Sequence, residues 1–81
     1  MSFPVAAAQE LLEGLGKVVT AHRRKMGHSQ ESFADHIGMH RTYMGCIERG
    51  EKNLQLATLL RIAKGLGVQL WRLLADAEIQ P

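Results

Sequence analysis

The chain has 81 residues, 46% of them hydrophobic and few aromatic, with a formal net charge of +2. That length suits one domain. No apolar run approaches the ~20 residues of a bilayer span, Met1 to Ala8 lacks the basic start and long apolar core of a secretory signal, and the lone cysteine, Cys46, excludes an internal disulfide. A cytoplasmic chain is the expectation.

Five helices and no strand are expected, an all-α class. The first runs from about Val5 to Met26, because Leu11, Leu12, Leu15, Val18, Val19, His22 and Met26 recur at helical spacing. Pro4 suits its first turn. Gly14 and Gly16 weaken its middle by roughly 1 kcal/mol each relative to Ala, so a break there is allowed. Residues 1–10 are then either an N-terminal extension or the start of this helix. Gly27 fits a left-handed stop and Ser29 an N-cap. The second helix covers about Gln30 to Ile37, with Phe33, Ala34 and Ile37 apolar, and ends at Gly38. The third starts near His40 or Arg41 and ends at Arg49, with Met44 and Ile47 inward and Gly50 as its stop. A fourth, Leu56 to Leu66, carries Leu56, Leu59, Leu60, Ile62, Ala63 and Leu66. A short fifth, Gln69 to Ala75, carries Leu70, Leu73 and Leu74. The domain proper spans 11–75, and 76–81 is expected to fray.

The second and third helices, joined tightly at Gly38, form a helix-turn-helix. That motif places its second helix in the major groove of DNA. The charge distribution permits a polyanion partner. All ten basic residues lie between Lys17 and Arg72, opposed there by Glu31, Asp35, Glu48 and Glu51, a segment net of +6.

An ordered series carries a resemblance over about Leu15 to Leu74. Ser29-Gln30 opens the second helix, Phe33-Ala34 lies inside it and Gly38 stands in the turn. Ile47-Glu48-Arg49-Gly50 closes the third helix. Leu59, Ile62-Ala63, Leu66-Gly67-Val68 and Leu73-Leu74 follow. This series resembles the Cro/cI-type, or Xre, helix-turn-helix family. His40-Arg41-Thr42-Tyr43 followed by Ile47 to Leu54 is most similar to the controller proteins of restriction–modification systems and to phage-type regulators. The resemblance implies a compact, lambda-repressor-like five-helix DNA-binding domain. It also implies a homodimer on a palindromic operator, regulating transcription, with RNA polymerase as a further candidate partner. No cofactor or small-molecule ligand is expected.

On this reading His40, Arg41, Thr42 and Cys46 are the candidate base contacts. Arg41 can donate two hydrogen bonds to guanine O6 and N7, and Thr42 can offer its hydroxyl or its methyl group. Cys46 would at most touch a thymine methyl. His40 reads equally as an N-cap. Gln30, Tyr43, Lys52 and Asn53 are the backbone candidates, Tyr43 reading equally as packing on the second helix. The resemblance pairs Glu48 with Arg23 in a salt bridge fixing the first helix against the third. Leu56, Leu60, Leu70, Trp71 and Leu74 are the candidate dimer interface, with Trp71 as its anchor. Packing of Trp71 on the N-terminal residues is the alternative.

Other chemistries fit less well. His36 and His40 have a zinc-like spacing, but Gly38 breaks the helix between them and no second ligand pair follows, so no metal is expected. Cys46 lacks the base and oxyanion site of a nucleophile; oxidation of the thiol within a DNA interface is the redox reading. An antitoxin or protein-interaction module on the same fold is the competing function. An enzyme is not expected.

Overall fold

The computed structural model describes residues 5–80, with side chains from Ala7 onward. Five helices follow one another: α1 (Val5–Lys25), α2 (Gln30–His36), α3 (Arg41–Glu48), α4 (Leu56–Leu66) and α5 (Leu70–Glu78). No strand occurs among the described residues. Residues 5–10 thus belong to α1, and 1–4 lie outside the described residues.

Local chemistry sets the helix ends that matter for the site. The Ser29 hydroxyl accepts the Ser32 N–H at 3.0 Å, satisfying one donor that the first turn of α2 leaves free. Gly38 follows α2 at φ +69°, a left-handed conformation that side chains other than glycine's resist. There the Met39 N–H bonds back to Ala34 O at 2.8 Å, closing the end of α2. His40 Nδ1 then accepts the Thr42 N–H at 3.1 Å and caps α3.

One core holds the helices together. Val19 from α1, Phe33 from α2, Met44 and Ile47 from α3, Ile62 from α4 and Leu73 from α5 are its largest fully buried side chains. Each contributes about 2 kcal/mol of apolar burial. α1 packs on α5, α3 and α4, while α2 packs on α3.

Two sequence expectations are corrected by the structure. First, α1 is unbroken at its glycines. A Cβ on Gly14 would lie 2.3 Å from the Ala77 carbonyl oxygen, and one on Gly16 2.3 Å from that of Glu48. These positions lack side chains because α5 and α3 press their backbones against α1. Second, the first half of the expected frayed tail is helical: α5 continues to Glu78, with Ala77 only 3% exposed beneath Gly14. Leu11 and Met26, which share the helical spacing of Leu15, Val18 and Val19, are exposed. They sit at the edges of the apolar stripe, where helical spacing alone cannot separate rim from interior.

Candidate nucleic-acid interface

A buried ion pair fixes the frame of the site. Arg23 Nε donates to Glu48 Oε2 at 2.6 Å and Nη2 to Oε1 at 2.9 Å. The two side chains are 7% and 5% exposed. The same carboxylate accepts from Thr20 Oγ1 at 2.9 Å and from Gln30 Nε2 at 3.0 Å. Arg23 Nη1 also donates to the His28 carbonyl. One carboxylate therefore ties α1, α2 and α3 together.

Burial alone would raise the Glu48 carboxyl. The hydrogen bonds from Arg23, Gln30 and Thr20, with the Arg23 charge, outweigh it and hold the pKa below the ordinary carboxylate value. The bond to Glu48 raises the Arg23 guanidinium in turn, against an opposing effect of burial.

Above this frame lies an open depression of about 610 Å³ between the start of α2 and the outer face of α3. Arg24, Ser29, Gln30, Arg41, Thr42, Gly45 and Arg49 line it, with Glu31 and Arg23. Arg41, Gly45 and Arg49 recur every four residues, a spacing that places them on one helix face. Gly45 lies between the two arginines: a Cβ there would meet Arg49 Nη1 at 3.2 Å and Gln30 Oε1 at 3.5 Å, the latter an ordinary contact.

The candidate residues divide by position. Arg41 and Thr42 are exposed and line the depression. Gln30 lines it too, with its amide bonded to Glu48. His40 is exposed, but its Nδ1 serves the cap of α3. Cys46 is half-buried, its Sγ 3.6 Å from Arg49 Nη2. Tyr43 is half-buried and packs against the core. Lys52 and Asn53 are exposed in the connection after α3, Asn53 bordering an apolar groove among α1, α4 and α5 instead of the depression. Arg49 and Arg24 were not singled out from sequence. The four-residue spacing from Arg41 could have found Arg49.

Arg41 of α3 and Arg49, its C-cap, both hold carboxylates. Arg41 Nη1 lies 3.4 Å from Glu31 Oε2. Arg49 donates Nε and Nη2 to Glu51 at 2.8 and 3.3 Å. The Arg49 bonds lower the Glu51 carboxyl, and Glu51 raises the Arg49 guanidinium.

The apolar residues assigned to an interface also divide. Leu56, Leu60 and Trp71 are 68%, 42% and 66% exposed, so Trp71 does not pack into the domain. Leu70 and Leu74 are half-buried: Leu70 packs against the core and Leu74 lines the groove beside Leu12 and Leu15. Among the described residues, no three His, Cys, Asp or Glu side chains are placed to hold a metal ion. No helix there is long and apolar enough to cross a membrane.

A helix-turn-helix family, HTH_3, matches residues 20–70, which span the ion pair, the turn and the whole of α3. The chain belongs to this family. Control protein C.MunI of Mycoplasma sp is 42% identical to it over 62 residues, 76% of this chain and 84% of that protein. Control protein C.SmaI of Serratia marcescens is 40% identical over 65 residues, 80% of this chain and 77% of that protein. Among solved structures, the restriction–modification controller protein C.Esp1396I, a tetramer in complex with its natural 35 base-pair operator, superimposes with a TM-score of 0.75. It is 32% identical, and the match covers 86% of this chain and 96% of that one. The chain is therefore a DNA-binding regulator of the controller kind. Its relatives are regulators and not enzymes.

Proposed function

We propose that this protein is a sequence-specific transcriptional regulator that binds a palindromic operator as a homodimer, with α3 in the major groove. The observation that carries the reading is the depression itself. Arg41 and Thr42 stand exposed at the start of α3, beside Ser29 and Gln30 of α2. The recognition helix of a helix-turn-helix reads base edges with its N-terminal residues, while the preceding helix crosses the DNA backbone. Arg41 and Thr42 then contact bases, with His40 and Cys46 at the margin. Gln30, Tyr43, Lys52 and Asn53 contact the backbone.

Dimerisation rests on Leu56, Leu60 and Trp71. Together they expose an apolar surface on α4 and α5, and an exposed Trp is a good interface anchor. Two copies related by a two-fold axis would read half-sites about 34 Å apart. That C.Esp1396I binds its operator as an oligomer supports the same arrangement here.

Duplex titrations at fixed salt test the base contact. Arg41→Ala is expected to weaken binding to the preferred duplex by about 1–3 kcal/mol while hardly changing binding to a random duplex. Equal losses on both duplexes would show that Arg41 serves only the backbone.

A further inference from the structure

The recognition face carries its own anions. Arg49 points both Nε and Nη2 at Glu51, with Nη2 also beside Cys46 Sγ, so the Nε/Nη2 edge of its guanidinium is occupied. Arg41 gives only Nη1 to Glu31, leaving its Nε and Nη2 free of side-chain carboxylates. All four side chains are more than half exposed. Exposed pairs of this kind contribute little to folding. Arg41, Arg49 and Glu31 line the basic depression, and Glu51 is held at its edge by Arg49, a placement that calls for a different account.

We infer that Glu51, acting on Arg49, and Glu31, acting on Arg41, are specificity-determining residues that suppress sequence-independent binding to duplex DNA. The inference rests on the proposed operator-binding function. A phosphate is available at every base pair. To take Arg49 by this edge it must displace a carboxylate that already fits it, and by any other it must still approach that carboxylate's negative charge. A random duplex, held through phosphates alone, meets this opposition in full. A matched operator is held instead by base contacts that a random duplex lacks, above all from the free edge of Arg41, and depends less on Arg49. Glu51 thus closes Arg49 against casual phosphate contact, whereas Glu31 restrains Arg41 while leaving it able to read.

The test compares the full-length protein with Glu51→Gln, Arg49→Ala and the double variant. Each is titrated against its selected duplex and against a random-sequence duplex at several salt concentrations. Glu51→Gln is expected to tighten random-duplex binding about fivefold, the scale of one exposed ion pair. It should also steepen the salt dependence by about one phosphate contact. The selected duplex should gain less, so discrimination falls. In the Arg49→Ala background the same substitution should do almost nothing. A smaller loss of discrimination is expected for Glu31→Gln. An equal gain from Glu51→Gln with and without Arg49 would overturn the inference, leaving only removal of a bulk charge. Unchanged discrimination in Glu51→Gln, with a wild-type protein that does discriminate, would overturn it while sparing the operator-binding function. A wild-type protein without any sequence preference would overturn both.

Discussion

Glu48→Gln is expected to destabilise the fold by about 3 kcal/mol, lowering the melting temperature by on the order of 15 °C. The substitution changes almost no volume. It removes the charge opposite a guanidinium whose side chain is 7% exposed and replaces one of four accepted hydrogen bonds with a donor. Breaking one side of a buried ion pair costs far more than the pair's net contribution, because the remaining charge stays desolvated. In a domain of this size the loss is a large fraction of total stability. Thermal melting followed by circular dichroism checks it, and an unchanged melting temperature would mean that Arg23 is held by other partners.

The same pair sets a pH dependence. The folded-state pKa of Glu48 lies below its unfolded value, near 4.5. Its contribution is therefore fully present above that pH and is lost as pH falls through the lower, folded value. Wild type should lose stability on acidification in this range, and Glu48→Gln should lack that component.

Gly16→Ala is expected to cost about 3 kcal/mol or more, though alanine is the better helix former by roughly 1 kcal/mol. The added methyl would lie 2.3 Å from the Glu48 carbonyl oxygen and 2.9 Å from that of Ile47. Backbone atoms inside α3 cannot rotate aside as a side-chain tip can. α1 must lift from α3, straining the Arg23–Glu48 bonds about two turns further along α1. Denaturant titration should show a lower midpoint at nearly constant slope. A raised midpoint would show that the close approach of α1 and α3 is not required by the fold.

Much of this was legible in the sequence, for identifiable reasons. The apolar sets of α2 and α3, with Ser29, Gly38 and Gly50 as punctuation, place the helix-turn-helix within a residue or two. Those signals are local. Arg41 and Thr42 could be named because recognition helices read bases from their first turn. What escaped depends on contacts between distant segments. Gly14 and Gly16 read as weak points because a helix propensity contains no term for another backbone pressed against it. The last turn of α5 read as tail because the last residues of a domain tend to fray, although Ala77 fits under Gly14. Arg49 was read with Gly50 as the end of a helix, so its place on the face of Arg41 was missed. Leu70 and Leu74 share the spacing of the exposed apolar residues, and only packing separates them from Trp71.

Selection of bound sequences from a random duplex pool, with Arg41→Ala run at the same salt, tests the central claim most directly. The account predicts a palindromic motif for wild type whose two halves lie about one helical turn apart, with information lost at one mirrored base pair in the variant. Salt-sensitive binding without any motif in either protein would contradict it.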